Sequence, residues 1–138
     1  MLDLTQERDA HIDQRLREGL IIWLNSVRAN GRPHSAAVWF LWDGRSFLIF
    51  SQENQKVRNL RQNPYVTLAL DDTKDGDDPI TCDGTAELLD DPAITPTLPA
   101  YAEKYADQLK ALGWTPEQMG QSYNQVIRIT PSKFHQVG

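Results

Sequence analysis

A mainly β, antiparallel fold is predicted for this 138-residue chain, a small six-stranded barrel with helices inserted. Three observations predict it. Apolar runs rich in strand formers recur along the chain. Two Asx-Gly dipeptides, Asn30-Gly31 and Asp43-Gly44, join the first three of those runs as hairpins. Helical periodicity is confined to the N-terminus, one short central stretch and residues 90–122. Closing six strands into a barrel removes most exposed sheet edges.

The elements follow in order. Residues 4–18 read as an amphipathic helix with Leu4, Ile12 and Leu16 as sparse apolar points, stopped at Gly19. "LIIWLNSVR" is the first strand, and "ANGR" suits a type I′ turn. "PHSAAVWFLW" is a second, unbroken strand, and "SFLIFS" the third. In "VWFLW", alternation sends Trp39 and Leu41 to one face and Phe40 and Trp42 to the other. That strand must therefore be covered on both sides, by packing helices, a flat ring system or another subunit. Residues 54–63 form a short helix with Asn54 as N-cap, Val57 and Leu60 facing the core, and Pro64 ending it. "YVTLALD" is the fourth strand. "DDTKDGDDP", with five Asp in nine residues, is a solvated loop. "ITCDGTAELL" is the fifth strand, alternating outward Thr81, Asp83, Thr85 and Glu87 with inward Ile80, Cys82, Ala86 and Leu88, and Gly84 marks a bulge. "AYAEKYADQLKALG" is one helix stopped at Gly113, with Tyr101 and Tyr105 on its barrel-facing side. "TPEQM" starts another, capped by Thr115 with Pro116 first. "NQVIRITPSKFHQV" is the sixth strand.

Composition narrows the function. The length and the lack of any linker or repeat predict one domain over 1–138. With 14 Lys plus Arg against 19 Asp plus Glu, the net charge of -5 argues against bulk nucleic-acid binding. No apolar run approaches the roughly 18 residues a membrane span needs. The N-terminus, charged and mixed in sign, reads as neither signal nor transit peptide. A single cysteine, Cys82, excludes an internal disulfide and reads as a small buried hydrophobe; a reducing, cytoplasmic setting is expected. His11, His34 and His135 lack ligand spacing, so no metal site is predicted. No Ser, Cys or Lys sits in a nucleophile motif, and no catalytic side chain is assigned. Such an absence points to chemistry carried by a cofactor.

One stretch stands out. In "SQENQKVRNLRQNP", Lys56, Arg58 and Arg61 fall at a helix start in an otherwise acidic protein. A helix N-terminus attracts anions, and Ser51, Gln52 and Gln55 add donors. Lys56 and Asn59 share one face, Arg58 and Arg61 another. The pattern suits a phosphate, while a solvated helix face accounts for the charges equally well.

The ordered set "NGRPH", "VWFLWDG", "SQ" followed by Lys, "VRNLRQNP" and "IRITP", from about residue 15 to 135, resembles the pyridoxamine 5'-phosphate oxidase-like flavin-binding superfamily. It looks most like the branch using the deazaflavin coenzyme F-420. The resemblance implies a split β-barrel homodimer with cofactor grooves at the subunit interface. It implies a ring lying along the second strand, Ser35 through Phe40, with Ser35, Ala36, Val38, Trp39 and Phe40 as contacts. It places the ribityl chain and phosphate at Phe50, Ser51, Gln55 and Lys56, with Asn59 one turn beyond. Arg58 and Arg61 face either an acidic cofactor tail or solvent. Lys56 lacks the adjacent cation found in this turn of the pyridoxamine-phosphate oxidases proper, which argues against that substrate. The implied activity is hydride transfer between F-420, or alternatively FMN, and a small organic acceptor. A non-catalytic flavin or heme carrier on the same fold and a nucleic-acid-binding barrel are the competing readings.

Overall fold

Alternation and turn residues select the strands, and the way they pair decides the architecture. The computed structural model describes residues 2–135. Helix α1 (Glu7–Glu18) precedes strands β1 (Ile22–Val27), β2 (Pro33–Val38), β3 (Leu41–Trp42) and β4 (Phe47–Ser51). Helix α2 (Gln55–Gln62), β5 (Tyr65–Leu70) and β6 (Ile80–Leu89) follow; then come α3 (Pro99–Lys104), α4 (Ala106–Leu112), α5 (Pro116–Ser122) and β7 (Gln125–His135). All pairings are antiparallel, in one sheet of order β2-β1-β5-β6-β7-β4-β3.

The sheet has seven strands rather than six, because the second predicted strand breaks at Trp39–Phe40. β2 and β3 sit at opposite edges of the sheet yet are joined by those two residues. Two residues reach only about 7 Å, so the sheet must curl until its edges meet. The backbone at the break is satisfied by side chains instead of a ladder. Phe40 N–H donates to the Tyr105 hydroxyl at 2.8 Å, and Lys104 Nζ donates to Phe40 O at 2.7 Å. Alternation nevertheless survives the break: Phe40 and Trp42 enter the barrel core, while Trp39 and Leu41 pack outside it.

Two apolar clusters result. The barrel interior holds Leu16 of α1, Val57 and Leu60 of α2, and inward residues such as Leu24, Phe47, Ile49, Leu68, Ile127 and Ile129. The second, between the barrel wall and α3–α5, holds Leu48, Phe50, Tyr101, Tyr105, Leu109, Met119 and Val126. β4 is consequently buried on both faces. The covering of the aromatic strand, open from sequence, is thus supplied by helices of the same chain.

Several local expectations change in detail. The Asn30-Gly31 turn is not type I′, which requires positive φ at both central residues. Among the described residues only glycines have positive φ, and Gly31 stands at 86°. Gly31 N–H donates to Arg28 O and Arg28 N–H to Arg32 O, both at 2.8 Å. That is the three-residue loop closed by a left-handed glycine. The helix predicted over 100–113 is two, α3 and α4, broken at Tyr105 (φ -107°, ψ 19°). Gly113 terminates α4 in the left-handed conformation, and Thr115 with Gln118 forms a capping box on α5. At Gly84 the register slips: Asp83 pairs with Lys133 but Gly84 with Pro131, leaving Ser132 extra on β7. A Cβ on Gly84 would lie 2.8 Å from Ile129 Cγ2, so the close approach requires glycine. Cys82 is buried, and burial pushes its thiol up to about 12. No helix among the described residues is long and apolar enough to cross a membrane.

Candidate functional site

The barrel wall and the helical insert do not quite meet. A cavity of about 350 Å³ remains between them. Val38, Trp39 and Phe50 form its barrel side, Leu109, Met119 and Tyr123 its helical side, and Leu112 and Trp114 its exposed rim. Lys56, from the first turn of α2, is the one charged group in the lining.

Trp39 is held rigidly. Its indole stacks on the Tyr105 ring, 4.5 Å between centroids and 3° from parallel. The Tyr105 hydroxyl accepts Phe40 N–H and donates its single proton towards Leu20 O (2.7 Å) or Phe40 O (3.0 Å). Burial pushes the Lys104 ammonium, 3.8 Å above the Phe40 ring, down to about 8. A fixed aromatic wall with an apolar opposite face accepts a planar ligand.

The three cations of the α2 stretch separate in space. Arg61 is paired with Glu53 through two hydrogen bonds, one at 3.0 Å, and does not line the cavity. Arg58 is exposed and donates to Gln55 Oε1 at 3.2 Å. Lys56 alone reaches the cavity. It makes no salt bridge among the described residues, and burial lowers its pKa from the ordinary lysine value. Asn54 occupies the N-cap position but makes no cap bond, and its Oδ1 is buried without a partner.

The sequence-predicted residues divide in the same way. Val38, Trp39, Phe50 and Lys56 converge on the cavity. Ala36 packs against the barrel core. Ser35 is exposed and donates to Asn25 Oδ1 at 2.6 Å. Phe40 is fully buried in the core, with both backbone polar groups taken. Ser51 shares the inward parity of Ile49 and donates to Gln52 O. Gln55 Nε2 donates to Asn59 Oδ1 at 2.6 Å, and Asn59 Nδ2 to Ser26 Oγ at 3.0 Å, a network that pins α2 to β1. Phe40, Ser51, Gln55 and Asn59 do not line this cavity. The sequence reading named no residue of the helical wall as a contact, because Leu109 and Met119 carry only a core signature.

The comparisons bear on the family and the fold. The family model for pyridoxamine 5'-phosphate oxidase matches residues 9–138. A Listeria innocua structure named for pyridoxamine 5'-phosphate oxidase superposes with a TM-score of 0.73 at 25% identity, covering 94% of this chain and 97% of that one. An F420 reductase superposes at 0.65 with 24% identity, covering 89% and 94%. The heme storage protein HutZ of Vibrio cholerae superposes at 0.60 with 19% identity, covering 92% and 90%. No functionally curated protein matches the chain in sequence. With a match across nearly its whole length and the same curled sheet, the chain belongs to the pyridoxamine 5'-phosphate oxidase family.

Proposed function

We propose that the protein is an oxidoreductase that binds a phosphorylated flavin-type cofactor, the deazaflavin F-420 ahead of FMN, and serves a small organic acceptor. The observation that carries this reading is a cavity lined by Trp39, Phe50 and Tyr123 together with a half-buried lysine, Lys56, without a carboxylate partner among the described residues. The fit is chemical. A tricyclic ring suits the slot beside Trp39 and Phe50. An anionic phosphate suits Lys56, whose charge is costly where it stands unless an anion joins it. The uncapped first turn of α2 adds backbone N–H groups. β2 is an edge strand, so alternate backbone groups along Ser35–Val38 remain available to the ring's polar rim.

When bound, the deazaflavin supplies the hydride chemistry. The chain's part is to hold the ring against Trp39, neutralise the phosphate with Lys56 and exclude water with Leu109, Met119 and Tyr123. Lys56 is the only ionisable side chain in the lining besides the Tyr123 phenol, so orientation rather than side-chain acid–base work is its contribution. The F420 reductase neighbour supports this reading. The heme storage neighbour supports a second one, a carrier on the same cavity, which predicts tight cofactor binding without turnover.

The site is expected to be completed by a second copy of the chain. The outer face of β2-β1-β5 carries Trp23, 49% exposed, in register with Ala37 and Ala69, and Tyr65 is 70% exposed nearby. A small-residue face with two exposed aromatics suits an isologous interface. Trp23→Glu should yield a monomer by analytical ultracentrifugation; a dimer unchanged by that substitution would place the interface elsewhere.

Parallel titrations with F-420 and FMN, followed by tryptophan quenching, test the cofactor. Lys56→Ala is expected to weaken binding by about 1.5–3 kcal/mol, roughly 10- to 150-fold. Unchanged affinity in that variant would overturn the assignment.

A further inference from the structure

We propose that Tyr105 is a positioning residue for a ring bound beside Trp39, and that Lys104 fixes the direction of its hydroxyl hydrogen bond. The proposal rests on the reading of the Trp39 cavity as a ring-binding site.

Lys104 closes α3 and Tyr105 is the break between α3 and α4. Both reach the two residues that separate β2 from β3. There the Phe40 N–H donates to the Tyr105 hydroxyl at 2.8 Å, and the Phe40 carbonyl accepts from Lys104 Nζ at 2.7 Å. The Tyr105 hydroxyl has one proton to give. Leu20 O, at 2.7 Å, and Phe40 O, at 3.0 Å, compete for it. Phe40 O already accepts from a charged donor, which leaves Leu20 O as the better acceptor. One hydroxyl thereby ties three stretches together: the segment between α1 and β1, the β2–β3 break and the helical insert.

The Tyr105 ring is fully buried and hydrogen-bonded at its far end, so its plane is fixed. The half-buried Trp39 indole lies parallel to it, 3° off, with 4.5 Å between centroids. Trp39 lines the cavity and Tyr105 does not, so Tyr105 acts through the indole. A ring ligand meeting Trp39 finds that side chain already ordered, and ordering it on binding would otherwise cost affinity. Tyr101 is the contrast. It is equally buried in the same cluster, its ring 5.0 Å from that of Tyr105. Its hydroxyl, however, has no hydrogen-bond partner among the described residues.

The test uses the full chain with F-420 and FMN as probes. Cofactor fluorescence reads affinity. Visible circular dichroism of the bound cofactor at saturation reads ring orientation, which a loss of stability alone does not move. Tyr105→Phe keeps the stack but removes the hydroxyl. It is expected to bind roughly two- to tenfold more weakly, with an altered dichroic band. Lys104→Met should move both readings the same way by less. Tyr101→Phe should leave both unchanged. Wild-type binding with both readings unmoved in Tyr105→Phe overturns the inference and leaves the cofactor reading standing. Equal changes in Tyr101→Phe and Tyr105→Phe overturn it too, since they report the packing of the cluster. Should Tyr105→Phe fail to fold, Lys104→Met carries the test, and unmoved readings there overturn the inference. Binding of neither cofactor by the wild type overturns the cofactor reading and the inference with it.

Discussion

Where α1 meets the acidic loop, opposite charges are matched within the chain. Arg15 donates to Asp72 at 2.5 Å and to Asp78 at 2.6 Å, His11 approaches the same Asp78, and Asp13 joins Arg17 to the Trp42 indole, both at 2.9 Å. Where α2 meets the cavity, half-buried Lys56 has no carboxylate partner among the described residues. The difference separates charges that hold the fold from charges left for something else. A half-buried cation without a partner costs stability, and it persists where a ligand supplies the counter-charge. The α1 face carries no such deficit and offers a ligand nothing that is not already satisfied.

Breaking the matched side should have the largest effect. Asp13 is only 8% exposed and accepts from the buried Trp42 N–H. Asp13→Ala is expected to destabilise the fold by about 3 kcal/mol in urea unfolding, because it orphans that donor and frees Arg17. Burial raises the Asp13 pKa, but the hydrogen bonds from Arg17 and Trp42 and the Arg17 charge outweigh it, leaving the carboxyl below its ordinary 3.8. Its contribution is thus complete above that value and is lost as pH falls through the lower folded one. Acid unfolding of wild type but not of Asp13→Asn should report this loss.

Removing charge from the open side should have the opposite sign. Lys56→Ala, already expected to lose cofactor affinity, is expected to unfold at the same or a higher urea concentration than the ligand-free wild type. A clear loss of stability would mean that Lys56 is matched after all. The smallest effect belongs to Asp78→Asn. Arg15 keeps Asp72 and the Asp78 carbonyl, at 2.7 Å, so the guanidinium stays partnered when the Asp78 charge is removed. Its melting temperature should stay within the range of ordinary surface substitutions, and a larger fall would show the acidic loop to be structural.

The hairpins show what is legible from local chemistry. Asn30-Gly31 and Asp43-Gly44 mark turns wherever they occur, because glycine adopts positive φ freely, and Gly31 and Gly44 do so here. Turn type was less legible, since the neighbouring strands choose the twist. Thr115-Pro116 and Gly113 marked helix ends for the same local reason. Trp39–Phe40 was not legible as a break. Nothing in "VWFLW" interrupts alternation; Lys104 and Tyr105, some 65 positions along the chain, satisfy that backbone.

The candidate site divides similarly. The cluster of Lys56, Arg58 and Arg61 was visible, but which of them reaches the cavity depended on Glu53 and Gln55 capturing the other two. Asn59 shared a helix face with Lys56 in projection, yet Ser26 and Gln55 claim its amide. Leu109 and Met119 stood out only as core residues, because the wall they form exists only where the helical insert packs back on the barrel.

By itself the sequence determined which segments are strands, where the chain turns and which faces are apolar. Those properties depend on residues within a few positions of one another, where backbone sterics and alternation act. Only the tertiary structure decided how many strands the sheet has, what covers its second apolar face, and which polar groups stay unmatched. Each of those is settled by hydrogen bonds and charges between residues far apart in the chain, whose meeting depends on how the sheet closes.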